Sequence, residues 1–441
     1  MKNFTQIIFI LLVLTANSNA QQEKGIVGDE NWLNNWTEFR PNQNEDLEPT
    51  KILTGNISEN TTLFKKDVYL LLGSVFVSGN ATLTIEPGTV IIGDYNSNGS
   101  LTISKGATII ANGLQTDPIV FTSNRSVKKA GDWGGLTILG DASSNKFGNG
   151  SVASFHTNLN SESYAAVNYG GKNDSDSSGI LRYVRIEFAG KRVSNGGYFN
   201  GLLLAGVGSE TIIENVMVSY AAGNAIEVLG GNLSMYNMVT YKANSNDYKF
   251  NYGAQCEILN SIAIRSPYVS SSEGSRCLEV LSYNKKEEVD FAKSGTRIVA
   301  KNLTFLNDSK DLDTDIKMNL VQEAIYIGED AVLNMNKSVI SGFNPAVILD
   351  ENIRINQENL EKINFNAMLF NNCNGNIFVE YNSNNEDLEN WYGNSAFFNV
   401  YSKGDNYETF IDTRSAKRPD YRLRINKIIA SNEVDPDLRM D

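Results

Sequence analysis

The sequence repeats a short apolar pattern at a spacing too small for two folded domains. Residues 83–93 read LTIEPGTVIIG, and residues 101–113, which begin eighteen positions later, read LTISKGATIIANG. In both copies apolar residues alternate with polar ones around a glycine-containing turn, which is typical of short strands joined by tight turns. Because so few strands cannot enclose a core, the repeat predicts coils stacked about 4.8 Å apart, with the two copies in contact.

A longer period appears later and carries one asparagine per copy. The segments IIENVMVSY (212–220), LSMYNMVTY (233–241) and EILNSIAIR (257–265) contain Asn215, Asn237 and Asn260, at a nearly constant interval of 22 or 23 positions. Asparagines at equivalent places can stack amide to amide and so satisfy buried polar groups along a column. A β-sandwich is the alternative, but it has no reason to keep such a register. The sequence therefore predicts an all-β parallel β-helix solenoid.

The start of the chain has the features of an export signal. Lys2 precedes an apolar run over residues 7–14, and small residues stand at Ser18 and Ala20. This pattern predicts a signal peptide over residues 1–20. The run is short of the about 20 residues that span a bilayer, and no later stretch approaches that length, so no membrane span is expected. We expect the protein at the cell surface or outside the cell, with the periplasm as the alternative.

The charge balance limits the classes of molecule that this protein is expected to bind. The chain has 51 acidic and 38 basic residues, a net charge of −13, and removal of Lys2 with the signal makes it −14. An acidic protein of this kind is a poor partner for nucleic acid or for an anionic membrane surface.

Three cysteines follow the signal: Cys256, Cys277 and Cys373. Three pairings are open, and an exported protein can keep a disulfide. Cys256 and Cys277 are separated by close to one coil, so stacking would bring their Cα atoms within the about 4.4–6.8 Å that a disulfide tolerates. A bridge between these two is the preferred prediction, which leaves Cys373 free or buried as a small apolar residue.

Three stretches resemble a known family. These are LTGNISENTTLFKKDVYLLLGSVFVSGNATLTIEPGTVIIGD (53–94), DPIVFTSN (117–124) and GDWGGLTILGDAS (131–143). They resemble exported right-handed parallel β-helix proteins of Bacteroidota, which are sometimes mislabelled as multidrug transporters. The resemblance implies no common chemistry, and it implies an outer-membrane receptor as a partner.

Three regions are expected after the predicted signal peptide. An N-terminal cap occupies residues 21–50, where the aromatic segment NWLNNWTEFRPNQNE protects the first coil of the solenoid. The β-helix covers residues 51–385, with a loop insertion near 143–179. Residues 386–441 form an irregular C-terminal cap and tail.

The GDWGG motif contains a tryptophan, Trp133, within a cluster of glycines. We interpret it as structural: the glycines permit a tight corner, and Trp133 covers an apolar edge of the stack. The alternative is that Trp133 is a platform on which a sugar ring stacks.

No catalytic set is recognisable in the sequence, so no catalytic residue is assigned. Glycoside hydrolysis needs two carboxylates at a fixed separation, and no Asp-Asp pair stands in the coils. The candidates for ligand binding are Glu227, Asp247, Arg265 and Arg276, an acidic and basic group near one flank. The one histidine, His156, stands in the predicted loop insertion, where a solvated side chain is the expected state.

An acidic segment offers one metal candidate. Asp311, Asp313 and Asp315 match the first three ligand spacings of a calcium loop, but Ile316 replaces the glycine that the turn of the loop requires. A solvated acidic loop is the preferred interpretation, with loose Ca²⁺ binding as the alternative. No other cofactor is predicted.

Three functions remain open. The preferred one is a non-catalytic exported module that binds a glycan or an outer-membrane protein. The second is a polysaccharide lyase or glycoside hydrolase acting on the flank of the solenoid, and the third is a purely structural surface protein.

Overall fold

The computed structural model describes residues 24–44, 47–156, 159, 163–193, 197–272, 274–382, 385–415, 417–424 and 426–427. The predicted signal peptide lies outside these residues. Three long parallel sheets run side by side along the molecule, and the chain visits them in turn, so that each circuit makes one coil. The predicted all-β parallel β-helix is confirmed.

The first sheet collects the strands that open each coil. In stacking order they are β2 (Thr61–Leu63), β4 (Thr82–Ile85), β7 (Thr108–Asn112), the first halves of β12 (Gly179–Glu187) and β14 (Ile212–Ser219), β16 (Asn232–Tyr236), β19 (Gln255–Leu259), β22 (Arg297–Lys301), β25 (Val332–Asn336) and β28 (Ile363–Asn366).

The second sheet follows after a corner. It contains the first parts of β1 (Lys51–Ile57) and β3 (Val68–Val77), then β5 (Val90–Gly93), β8 (Ile119–Ser123), the second halves of β12 and β14, β17 (Val239–Tyr241), β20 (Ile262–Arg265), β23 (Thr304–Asn307), β26 (Val339–Ser341), β29 (Leu369–Asn371) and β31 (Val400–Ser402).

The third sheet closes each coil. It contains the ends of β1 and β3, then β6 (Ser100–Ile103), β9 (Leu136–Leu139), β13 (Leu202–Ala205), β15 (Ile226–Leu229), β18 (Tyr248–Asn251), β21 (Leu278–Val280), β24 (Ile325–Ile327), β27 (Val347–Leu349) and β30 (Ile377–Val379).

Short elements decorate the solenoid. Among the described residues, two antiparallel strand pairs stand outside the coils, and the helices are one or two turns long. They are β10 (Gly150–Ser151) with β11 (Asn168–Tyr169), β32 (Phe410–Asp412) with β33 (Asp420–Leu423), α1 (Ser163–Ala166), α2 (Leu312–Lys317), α3 (Gln357–Leu360), α4 (Glu386–Tyr392), α5 (Asn406–Thr409), and 3₁₀ turns at Pro41–Gln43, Ala153–Phe155, Lys286–Glu288 and Ser395–Phe397. Among the described residues, no helix is long and apolar enough to cross a membrane.

The two copies of the short repeat touch, but equivalent residues are not neighbours. Leu83 pairs with Ile109, not with Leu101, and Leu101 pairs with Leu136. The repeat encodes strand–turn–strand, whereas one coil needs three strands. A two-strand unit therefore ends on a different sheet each time, and the early coils are longer than the repeat.

Asn215, Asn237 and Asn260 lie at the corner between the first and second sheets. All three adopt a left-handed backbone, with φ of 53°, 54° and 48°, which asparagine tolerates better than most residues. The Asn260 side-chain amide donates to Asn237 Oδ1 at 2.9 Å, so the two stack as a ladder. Asn302 holds the next position of the column, with φ of 57°.

The aromatic N-terminal segment does not cover the first coil, contrary to expectation. It runs along the outside of the second sheet, where Trp36 and Phe39 pack against Met217 and Val239. The asparagine ladder binds the beginning of this N-terminal segment. The Val27 N–H donates to Asn260 Oδ1 at 2.8 Å, and Asn302 Nδ2 donates to Gly25 O at 3.1 Å. The corner asparagines have spare amide groups on the outside, and these fix the segment to the flank.

The predicted disulfide between Cys256 and Cys277 is not formed; all three cysteines are free and buried. Cys256 lies in the first sheet and pairs with Ile298 of the next coil, whereas Cys277 directly precedes a strand of the third sheet. Long connections at residues 266–277 and 281–296 lengthen this coil. The chain between the two cysteines therefore covers only part of a circuit.

The insertion at 143–179 packs against the third sheet and is not a free loop. Val152, Val167 and Tyr169 form a small core with Phe76 and Leu203 on the outer face of that sheet. His156 belongs to the same region and is 8% exposed, so the expectation of a solvated histidine is wrong. Its ring lies 5.1 Å from that of Phe76, and its Nδ1 lies 3.0 Å from Ser74 Oγ.

His156 makes the stability of the protein sensitive to acid. Burial lowers the pKa of His156 from its ordinary 6.5 to about 4, so the unfolded chain takes up this proton first as the pH falls. The stabilisation from keeping the ring neutral is complete above pH 6.5 and is lost between pH 6.5 and about 4. We expect a loss of about 2 kcal/mol in the free energy of unfolding by pH 5.

Denaturant unfolding at pH 7 and pH 5 measures this loss, with His156→Gln as the reference. The variant keeps a polar side chain but does not titrate, so the carboxylates common to both proteins cancel in the comparison. An equal loss of stability in both proteins would contradict the assignment to His156.

Candidate functional site

The four predicted binding residues divide into a buried pair and a surface pair. Asp247 and Arg265 are 0% and 3% exposed, and their side chains meet at 2.8 Å between Arg265 Nη1 and Asp247 Oδ2. The same guanidinium donates to the carbonyls of Ser245 and Ala243 at 2.9 and 3.2 Å. Burial raises the pKa of Asp247, and the Arg265 charge opposes that shift. This pair ties successive coils together, and its side chains are buried and already paired with each other, which corrects its assignment as a binding group.

Glu227 lies on the outer face of the third sheet, in a column of residues that share one register. The members are Leu203, Glu227, Lys249, Glu279, Tyr326, Ile348 and Phe378. Charges along this column alternate, and Lys249 Nζ lies 2.9 Å from Glu279 Oε2. Burial raises the pKa of Glu227, whereas Lys249 and the Asn200 amide oppose that rise.

Arg276 reaches the middle of this column from the long connection before β21. Its Nη1 lies 2.8 Å from Glu279 Oε1, its Nε lies 2.6 Å from Glu323 Oε1, and its guanidinium carbon stands 4.4 Å from the centre of the Tyr326 ring. Two carboxylates and an aromatic face hold one arginine. The guanidinium is therefore held from two sides by acids, and it orients the Tyr326 ring.

Tyr326 stands between two carboxylates from the next two coils. Its hydroxyl oxygen lies 2.9 Å from Asp350 Oδ2 and 2.9 Å from Glu380 Oε2. A phenol has one proton to donate, so it satisfies one carboxylate at a time. Burial and the two hydrogen-bonded acids raise the pKa of Tyr326 above its ordinary value, so the hydroxyl keeps its proton. The second carboxylate is free to accept from another donor.

Tyr283 repeats this arrangement on the neighbouring loop. Its hydroxyl lies 2.9 Å from both Glu329 Oε2 and Asp330 Oδ2, and Lys286 Nζ lies 2.6 Å from Glu329 Oε2. The Tyr283 ring meets the edge of Phe291, which is 61% exposed. The two tyrosines thus present similar polar ends on one surface.

A shallow open cleft of about 490 Å³ separates the column from this loop. We call it the tyrosine cleft. Its lining includes Arg276, Glu279, Tyr283, Tyr326, Glu329, Asp350 and Glu380. Lysine or arginine neutralises Glu279 and Glu329, whereas Asp350 and Glu380 form no ion pair within the described part of the chain.

The sequence predicted Arg276 as a binding residue but not the tyrosines and the acids of the cleft. A signal existed: acids end three strand segments in a row, in IYIGED (325–330), VILDEN (347–352) and IFVEYN (377–382). Asp350 and Glu380 follow the paired residues Leu349 and Val379 directly, which places them on adjacent coils. Recognising this alignment required the register of the third sheet, because these segments are unevenly spaced along the chain.

The proposed calcium ligands are part of a helix, not of a loop. Asp311 is the N-cap of α2 and accepts from the Thr314 N–H at 3.2 Å, while Asp315 is buried and accepts from the Ser309 hydroxyl at 2.5 Å. The helix replaces the turn that a calcium loop needs. No group of three histidine, cysteine or acidic side chains is placed to hold a metal ion in the described residues.

Trp133 is fully buried in the main core, so a role as a sugar platform is wrong. Its ring stacks on Phe121 with 6.4 Å between centroids, and its Nε1 donates to Glu187 O at 2.7 Å. Gly93 leaves the room that the indole fills, because a Cβ at that glycine would lie 2.5 Å from the ring. The tryptophan fills the interior of a coil and does not cover its edge.

Comparison with known proteins addresses the fold. A family model described as pectate-lyase-like beta helix domain matches residues 55–410. The structure of the Streptococcus pneumoniae surface protein and adhesin PfbA is similar over 80% of this chain and 91% of that one, at 10% identity and a TM-score of 0.29. No curated protein matches the sequence. The chain belongs to the pectate-lyase-like beta helix domain family.

Proposed function

We propose that this protein is an exported, non-catalytic binding module that holds a polysaccharide in the tyrosine cleft. The observation that carries the proposal is the placement of two tyrosine hydroxyls, each between two carboxylates, on one open surface. The site follows the stack, since its residues come from consecutive coils. An extended chain can lie along it.

The chemistry of the cleft suits sugar hydroxyls. Carboxylates accept hydrogen bonds, and a sugar offers several hydroxyl donors on a compact ring. Tyrosine supplies a flat apolar face together with a polar end. This combination is common where one side of a site is apolar and the other is exposed to water. The Arg276 contact presets the Tyr326 ring, which lowers the entropy lost when a ligand orders the site.

The charges of the cleft favour a neutral or amine-bearing polysaccharide over a polyanion. Arg276 and Lys286 are already held by Glu279, Glu323 and Glu329. A uronic acid chain would therefore meet carboxylates without a cation to receive its own. This argues against a pectate-type substrate.

A glycoside hydrolase is the second candidate, and one distance favours it. Asp350 Oδ2 and Glu380 Oε2 each lie 2.9 Å from the Tyr326 hydroxyl, so these two oxygens are at most twice that distance apart. Retaining glycosidases place their carboxyl groups about 5–5.5 Å apart. Hydrolysis would require one acid of this pair to be protonated and the other to act as the nucleophile.

Affinity electrophoresis through gels containing neutral, amine-bearing or anionic polysaccharides tests the proposal, with and without Ca²⁺. We expect retardation in a neutral or amine-bearing gel, and about 10-fold weaker binding for Tyr326→Ala. Tyr236→Ala is the matched control, since Tyr236 is 41% exposed on the first sheet, away from the cleft.

A reducing-end assay on the same polysaccharides separates the alternatives. Retardation without new reducing ends supports a binding module. Depolymerisation that Asp350→Asn and Glu380→Gln abolish would establish the hydrolase instead. If no gel retards the protein and an outer-membrane protein co-purifies with it, the function would be binding of that protein and not of a polysaccharide. Absence of both would leave a structural surface protein.

A further inference from the structure

The two ends of the solenoid differ in how their cores are covered. At the C-terminal end, α4 lies over the last coil: Leu388 and Tyr392 are 1% and 2% exposed and join the main core. Tyr392 packs against the Phe365 ring, with centroids 5.6 Å apart, and donates its hydroxyl proton to Ile363 O at 2.8 Å. This end cannot accept another strand without displacing the helix.

The N-terminal end carries no covering helix or strand in the part of the chain that the structure describes. β1 pairs with β3, and within the described residues no strand pairs with its other side. The exposed fraction of Ile52 is 62%, and Leu53 and Ile57 are only partly buried although they pack against the main core. The aromatic segment that could have covered these residues lies on the flank of the second sheet.

The open side of β1 has backbone groups without a strand to pair with. Ile57 O accepts from the Ser78 N–H, so the backbone of residue 57 points toward β3. Because successive residues of a strand point their backbone groups to opposite sides, those of Asn56 point away. Such an edge is a template on which another strand can pair.

The charges around this edge balance, unlike those of the whole chain. Residues 47–67, which contain β1 and the turns of the first coil, hold three acids and three lysines: Glu48, Lys51, Glu59, Lys65, Lys66 and Asp67. The chain as a whole carries a net charge of −13. Two copies therefore meet with no like-charge barrier at this end.

We propose that the first coil docks against the first coil of a second copy, with the two β1 strands antiparallel about a two-fold axis. A two-fold axis makes the same edge self-complementary, so each strand offers the other an identical row of donors and acceptors. Because α4 covers the opposite end, head-to-tail growth is blocked. The assembly is a closed dimer about twice as long as one solenoid.

Light scattering coupled to size-exclusion chromatography on the full chain tests this, from about 1 to 100 µM. We expect twice the mass of one chain at the upper end of this range. Ile52→Lys and Thr54→Lys each place a lysine near its two-fold mate, and we expect the mass of a single chain for both. Asn390→Lys on α4 adds the same single positive charge at an exposed position of the covered end and is expected to remain dimeric.

Circular dichroism and thermal unfolding of the two β1 variants verify that they fold, since both positions are at the surface. A wild-type protein with the mass of one chain throughout would overturn the proposal. So would a mass that rises without limit, or dimers that persist in both folded β1 variants.

Discussion

Arg265→Met is expected to lower the free energy of unfolding by about 3–5 kcal/mol. The substitution keeps much of the side-chain volume but leaves the Asp247 carboxylate buried at 0% exposure without its cation. It also removes the donors to the carbonyls of Ala243 and Ser245. Denaturant unfolding followed by circular dichroism measures the loss.

A double-mutant cycle identifies the cause of this loss. Arg265→Met with Asp247→Leu removes both charges, and we expect the double variant to be more stable than the sum of the single losses predicts. Lys65→Ala is the control, because Lys65 and Asp117 pair at 2.6 Å with side chains 54% and 41% exposed. That change should cost about 1 kcal/mol or less. Additive losses at the buried pair would contradict an ionic contribution.

Trp133→Ala is expected to destabilise the fold by about 3–5 kcal/mol through the cavity it creates. The indole is fully buried between Phe121 and Gly93, and the Glu187 carbonyl loses its donor. Thermal and denaturant unfolding of the variant give the magnitude.

Trp133→Phe separates packing from hydrogen bonding. Phenylalanine retains a ring on Phe121 but cannot donate to Glu187 O, so an intermediate loss is expected. Gly93→Ala tests the same contact at the other residue, because the added Cβ would lie 2.5 Å from the Trp133 indole. Combining Gly93→Ala with Trp133→Phe should cost less than the two changes separately. Unchanged stability in Trp133→Ala would show that the interior collapses around the gap.

The fold and the candidate site place different requirements on the residues of each coil. The core columns need only apolar residues that point inward, which leaves the outward positions free to vary along each sheet. On the third sheet these positions hold Glu227, Lys249, Glu279 and Tyr326, and long connections between strands build a wall beside them. A β-helix can thus acquire a binding surface without change to its interior.

The local pattern of the chain determined the architecture. Alternating apolar residues, tight turns and the corner asparagines are properties of short segments, and they survive any variation in loop length. For this reason the stacked coils and the column through Asn215, Asn237 and Asn260 were predictable from residues alone.

Only the tertiary structure decided which residues of different coils meet. The coils differ in length, so the interval between paired residues is short for Glu214 with Tyr236 and nearly twice as long for Cys256 with Ile298. Each insertion shifts the sequence interval between residues that stack, although the strands keep their places on the three sheets. That shift separated Cys256 from Cys277 and brought Tyr326 between two acids of later coils, and a regular period in the sequence could show neither.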